Sequence, residues 1–336
     1  MDAKAEQLRA LVDAAHKIVV IQADNPDADS LGSALALEHI LGDLGKEVFL
    51  YCGVDMPGYL RYLRGWDRVQ RDLPKDFDVS IIVDASTMTL LEKLTQSGQK
   101  GWLSTKPCAV LDHHEAVDNV VPFASVMIND GTRAATGELI YLLAKRLDWP
   151  LALPAQECIM TAILGDTQGL TNQLASAGTY HILGDMVGAG VDRPALEELR
   201  RSFSKMPVEI YKYKAALIAH TEFSNNHKIA SVVVPQVEIN QYSPLYNPAP
   251  LIQNDMLQAA DVAVAIVFKH YDDNRVTAAI RCNPGSGIGA ELAKHFGGGG
   301  HAYASGFKVV GSRPFNEIRS ECLNLATELL DKLDKE

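Results

Sequence analysis

The sequence reads as an α/β protein, with a parallel-sheet N-terminal domain under helical cover linked to a smaller α/β C-terminal domain. Three observations support this reading. The chain has 336 residues, 47% of them hydrophobic, which suits two domains with a core each. Its first half alternates short, continuously apolar runs with helical patterns, as a parallel sheet covered on both faces requires. A polar helix rich in Lys and Tyr, near residues 203–221, then leads into a second strand-containing stretch.

In chain order, MDAKAEQLRALVDAAHK is a charged amphipathic helix without the apolar stretch of a signal peptide. KIVVIQA (17–23) reads as a buried strand, and residues 30–44 have helical periodicity ending near Gly45. EVFLYC (47–52), DVSIIVDAS (78–86) and CAVLDHH (108–114) read as further strands, with SVMIND (125–130) as a fifth. From Thr136 to about Arg201 the pattern is almost entirely helical. Beyond the connector, KIASVVVP (228–235), DVAVAIVFKHY (261–271) and VTAAIRC (276–282) read as strands, the last two as a hairpin across Asp272, Asp273 and Asn274. A short helix (289–295), the segment GGGGH (297–301), the strand SGFKVV and a terminal helix (315–333) complete the chain. The expected domains are 1–205 and 223–336, with 206–222 as a helical linker.

Composition limits the partners. A net charge of −11 argues against coating long nucleic acid, because counterion-release binding needs clustered Lys and Arg. No long duplex is expected as a partner, and any nucleic-acid ligand should be short and gripped at one site. The five cysteines (Cys52, Cys108, Cys158, Cys282, Cys322) are scattered without a CxxC pair, which argues against a disulfide framework or a structural zinc site. No apolar run approaches the roughly 18 residues needed to cross a bilayer. These features predict a cytoplasmic protein with no membrane partner.

Three clusters of acidic residues fall at strand ends. Asp27 and Asp29 follow the first strand, Asp84 ends the third, and Asp112-His113-His114 ends the fourth. In an open parallel sheet, ligands bind beyond the carboxyl ends of the strands, so distant residues converge there. Carboxylates and imidazole suit Mn²⁺, Mg²⁺ or Fe²⁺. In an extended loop residues two apart point the same way, so Asp27 and Asp29 would each face a different ion, with Asp84 bridging. The helix opening at Ser30 to Ser33 would offer free N–H groups as a phosphate seat, with Gly32 allowing close backbone approach. Singly, each piece has a bland reading: an aspartate before a helix is often a cap, and one ending a strand is often a turn residue.

NPDADSLGS (25–33), the strand-end Asp84, the triplet 112–114 and ILGDT (163–167) resemble, in order, the four motifs of the DHH phosphoesterases. GGGGHAYASGF (297–307) resembles the glycine-rich motif of the DHH-associated C-terminal domain, so the resemblance spans nearly the whole chain. The subfamily it most resembles degrades short oligoribonucleotides, linear or cyclic dinucleotides, or 3′-phosphoadenosine 5′-phosphate, typically with Mn²⁺. The resemblance implies that Asp27 and Asp84 bind a first metal, and that Asp29, Asp84, His113 and Asp166 bind a second. It makes His114 the catalytic group facing the phosphate, and water or hydroxide the nucleophile. Ser33, Arg133, Arg281, Gly298, Gly299, Gly300 and His301 are the expected substrate contacts. A homodimer is compatible with the sequence, which does not itself define the oligomeric state.

Two positions depart from the family pattern. The histidine expected three residues before Pro26 is Ala23, which cannot ligate a metal, so the first site should be weaker, rebuilt or empty. The arginine often found after the strand-end aspartate is missing from ASTMTLLEKL (85–94), leaving Arg133 as the alternative cation. The competing reading is a catalytically weakened nucleotide-binding sensor. Pyrophosphate hydrolysis is a further alternative, against which the glycine-rich motif argues.

Overall fold

The structure, a computed structural model, describes residues 2–114, 120–243 and 246–334. It divides into two compact units, Met1–Lys205 and Met206–Glu336. Among the described residues no helix is long and apolar enough to cross a membrane.

The first unit runs α1 (Asp2–Ala14), β1 (Lys17–Ile21), α2 (Ala28–Asp43), β2 (Glu47–Tyr51), β3 (Val69–Gln70), β4 (Val79–Val83), α3 (Glu92–Gln96), α4 (Lys100–Leu103), β5 (Cys108–Asp112), β6 (Val126–Asn129), α5 (Thr136–Arg146), α6 (Leu153–Asp166), α7 (Ala177–Gly188) and α8 (Arg193–Phe203). Its sheet is parallel throughout, in the order β3-β2-β1-β4-β5-β6. Strand periodicity explains why both faces are covered. Ile18 and Val20 join the core beneath α1, α2, α5 and α6, while Val19 and Ile21 join Leu94 and Leu103 of α3 and α4 on the other face.

The strands end earlier than their apolar runs, and α2 begins at Ala28 rather than Ser30 because Asp27 is its N-cap. Asp29 therefore sits inside the first turn of a helix, which overturns the extended-loop argument for Asp27 and Asp29. Gly32 serves α6 and not a ligand: a Cβ there would lie 2.7 Å from the Cys158 carbonyl oxygen. Gly32→Ala should therefore force α2 and α6 apart and cost about 1–3 kcal/mol, typical of overpacking. Thermal unfolding checks this, and an unchanged Tm would contradict it.

The second unit contains α9 (Val208–Ala219), β7 (Glu222–Ser224), β8 (Ile229–Pro235), α10 (Gln236–Tyr242), α11 (Pro248–Leu257), β9 (Val264–His270), β10 (Val276–Cys282), α12 (Gly289–His295), β11 (Gly299–His301), β12 (Ala304–Val309) and α13 (Phe315–Leu333). Its sheet order is β11-β12-β10-β9-β8-β7, antiparallel except between β8 and β9. The stretch expected as a linker lies within this unit. Tyr213 and Leu217 of α9 are buried with Ala230 and Val232, and Tyr213 stacks on Tyr242 with ring centroids 3.8 Å apart. Helices α10 and α11 have no counterpart in the sequence reading, although Asn247 capping a helix that opens on Pro248 is a recognisable start signal.

Candidate metal centre

The chain leaves β1 toward β2 on one side, while β4 and β5 lie on the other, so the strand order reverses between β1 and β4. Ligands of such sheets bind beyond the carboxyl ends at that reversal. Asp27 follows β1, Asp84 follows β4, His113 and His114 follow β5, and Asp166 ends α6. Asp84 takes a left-handed backbone (φ 58°), which Asp tolerates better than most residues, and its N–H donates to the Leu111 carbonyl at 3.0 Å.

Asp29 is wholly buried. The first turn of α5 holds it: the Thr136 N–H donates to Oδ2 at 2.7 Å and the Gly137 N–H to Oδ1 at 2.9 Å. The Ser33 hydroxyl also donates to Oδ1 at 2.9 Å. Ser33, expected to touch substrate, is itself fully buried and supports Asp29 instead. The expected phosphate seat is also altered, because the Ser30 N–H is used by Asp27 Oδ1 at 2.9 Å.

His113 Nδ1 lies 3.2 Å from the Arg133 carbonyl oxygen, which favours a proton on Nδ1 and makes Nε2 the nitrogen that a cation would take in exchange for its proton. That Nε2 is buried among carboxylates. Around it stand carboxylate oxygens of Asp166 at 2.9 Å, Asp29 at 3.5 Å and Asp84 at 3.7 Å. A basic nitrogen stranded among three carboxylates is a donor set that fits a divalent cation. Burial lowers the His113 pKa, but the hydrogen bond and charge of Asp166 and the charge of Asp29 outweigh it and lift the value to about 9. Burial and the neighbouring Asp166 raise the Asp29 carboxyl. Burial first, then Asp29, Asp27 and Asp166, raise Asp84 well above the ordinary carboxylate value. A cation would relieve this crowding.

Donor atoms of Asp29, His113 and Asp166 all lie within 4.8 Å of one another, as do those of Asp84, His113 and His114. The His114 nitrogen that faces Asp84, Nδ1 at 3.6 Å, already hydrogen-bonds Asp112 Oδ1 at 2.8 Å, so that nitrogen is taken. That oxygen also accepts from the backbone N–H groups of His113 and His114 at 2.8 and 3.2 Å, so Asp112 fixes the His114 ring and the backbone of both histidines. Asp112, like the backbone donors of Thr136 and Gly137, has a supporting role that the sequence reading missed. Asp112→Asn should keep an acceptor but weaken the hydrogen bond, and remove the charge, that together raise the His114 pKa. An NMR titration should then show His114 moving toward its ordinary value; no movement would refute the pairing.

Asp27 is exposed and stands outside both donor groups, near enough to raise Asp84. Ala23 is buried in the apolar cluster with Tyr51, Ile82 and Leu91, and its carbonyl accepts from Cys52 Sγ. The adjacent Asp24 carboxylate accepts from the Lys93 N–H at 2.8 Å. Arg133 is no free cation: its Nε donates to Asp130 at 2.8 Å and its Nη1 lies 3.6 Å from Glu138.

In the second unit, His301 and Arg281 both pair with Ala304 across the sheet, so the three residues form one row on one face. Two of the glycines meet packing demands. A Cβ at Gly298 would lie 2.3 Å from the Gly306 oxygen, and one at Gly300, where φ is 129°, 2.6 Å from the Ala304 oxygen. Gly299 alone of the three faces open space.

Residues 17–165 match the DHH family, N-terminal domain. The chain is 24% identical over 319 residues to a probable bifunctional oligoribonuclease and PAP phosphatase NrnA of Streptococcus mutans, covering 94% of this chain and 97% of that protein. It is 22% identical over 307 residues to the bifunctional oligoribonuclease and PAP phosphatase NrnA of Bacillus subtilis, covering 90% and 92%. Its fold is similar to that of an exopolyphosphatase-related protein from Bacteroides fragilis, with a TM-score of 0.84, 19% identity and coverage of 100% and 98%.

Proposed function

Because the chain belongs to the DHH family and is a hydrolase of phosphate esters, we propose that it is a metal-dependent phosphodiesterase of short oligoribonucleotides and of linear or cyclic dinucleotides. We extend the reading to 3′-phosphoadenosine 5′-phosphate. The observation that carries it is the buried His113 Nε2, with carboxylate oxygens of Asp166, Asp29 and Asp84 at 2.9, 3.5 and 3.7 Å. These four residues would hold the cation, with Mn²⁺ as the expected ion and Mg²⁺ as the alternative. A divalent cation supplies charge neutralisation at the phosphoryl group and lowers the pKa of water.

The chain's own groups perform the rest. Thr136, Gly137 and Ser33 hold Asp29 in place before any ligand arrives, which is the preorganisation a charged transition state needs. Asp112 holds the half-exposed His114, which remains the expected catalytic contact with the phosphate. Arg281 and His301, flanking Ala304 with Gly299 open beside them, are proposed to receive a phosphate and base in the second unit. A preference for short substrates agrees with the net charge of −11.

The test is incubation with Mn²⁺ and pApA, a three-residue RNA, cyclic di-AMP and 3′-phosphoadenosine 5′-phosphate, with products resolved. Turnover of the short substrates, abolished by EDTA, is expected. Binding without turnover would replace this reading with that of a nucleotide sensor.

A further inference from the structure

We propose that a cavity of about 500 Å³ in the first unit, lined by Tyr59, Tyr62, Arg193, Arg200 and Arg201, is a second ligand site and takes a nucleoside monophosphate unit. It goes beyond phosphoester hydrolysis and does not require it. The cavity wall includes Ala28, between Asp27 and Asp29, and Gly165, next to Asp166. The carboxylate of Asp29 turns the other way, toward Thr136, Gly137 and His113, none of which line the cavity. The site is therefore close to the metal centre and chemically separate from it.

Its charge runs against the rest of the chain. In a protein of net charge −11, the charged lining is three arginines and one carboxylate, Glu197. Arg200 grips Glu197 through Nε and Nη2, both at 2.8 Å, and Arg201 does so through Nε at 2.7 Å. This single carboxylate fixes two guanidinium groups and leaves Nη donors on each without a partner among the described residues. Arg193 has no ion pair among the described residues. A salt-bridged solvent face of α8 would need no such excess of cations. Guanidinium groups held in place with spare donors suit a phosphate.

The aromatic lining selects more than a bare anion. Tyr59 is half exposed, and its ring is anchored by the hydroxyl donating to the Pro26 carbonyl at 3.2 Å. Tyr62 is almost wholly buried, and its hydroxyl has no hydrogen-bond partner among the described residues. Burial pushes the Tyr62 pKa up to about 12 despite the nearby Arg200, so it stays a neutral donor. A tyrosine face offers a stacking surface to any base. The volume lies in the range of small-molecule sites and exceeds what inorganic phosphate fills.

The experiment is hydrogen–deuterium exchange on the full chain in EDTA, where no hydrolysis occurs and where failure of the hydrolase reading has no bearing on the outcome. The probes are 5′-AMP, adenosine and pentaadenylate. We expect a nucleotide probe to slow exchange in peptides covering 57–62 and 193–204, adenosine not to, and the double variant Arg193→Glu/Arg201→Glu to weaken binding there at least tenfold. Protection by 5′-AMP identifies a free mononucleotide as the occupant. Protection by pentaadenylate with little from 5′-AMP identifies a distal nucleotide of an oligoribonucleotide. Both outcomes support the site. No protection by either nucleotide, equal protection by adenosine, or protection unchanged in the double variant would overturn it.

Discussion

His113→Ala is expected to weaken divalent-cation binding and to lower turnover of pApA by at least ~100-fold, since even groups that merely orient metal ligands are worth 10–100-fold. The substitution removes the one imidazole nitrogen among Asp29, Asp84 and Asp166 and leaves a cage of carboxylates alone. Calorimetric titration with Mn²⁺ reads the first effect and product formation the second. The Tm in EDTA checks that the variant folds. Mn²⁺ affinity and turnover at the native level would remove His113 from the metal centre.

Asp84→Asn is expected to raise the stability of the metal-free protein while abolishing the Tm increase that Mn²⁺ produces. Asparagine is the correct replacement because it also tolerates the left-handed backbone at this position. The Asp84 carboxyl is raised in the folded state by burial and by Asp29, Asp27 and Asp166, so its ionised form opposes folding. The penalty is complete above the raised pKa. It fades as pH falls through that pKa toward the ordinary carboxylate value, below which folded and unfolded states are both protonated and it vanishes. Metal-free native protein should therefore gain stability on mild acidification, and the variant should gain less. About 1 kcal/mol of relief would move the Tm by roughly 2–4 °C in a unit of this size. A variant less stable than the native chain in EDTA at neutral pH would refute the account.

The limits of the sequence reading are visible at single residues. His113 and Asp166 are legible as candidate ligands because a motif names them by position. Ser33 reads from the sequence as a substrate contact because a hydroxyl at a helix opening gives no sign of its depth. Only the packing of α2 against α6, with Gly32 on the Cys158 carbonyl, shows that this turn is interior. Arg133 illustrates the same limit: a cation in a loop says nothing about which carboxylates will neutralise it, and Asp130 and Glu138 do so. The cavity beneath α8 was invisible, since Tyr59 and Arg193 lie far apart in the chain and belong to no motif.

Alternation of apolar runs was enough to establish a parallel sheet and its crossover helices, because those properties are local and periodic; the candidate ligand set came from the resemblance of the motifs to a family. The tertiary contacts settled which oxygen faces which nitrogen, which hydroxyl is interior, and that α9 belongs to the second core. Such outcomes depend on the distances between elements remote in sequence, and no local pattern encodes a distance.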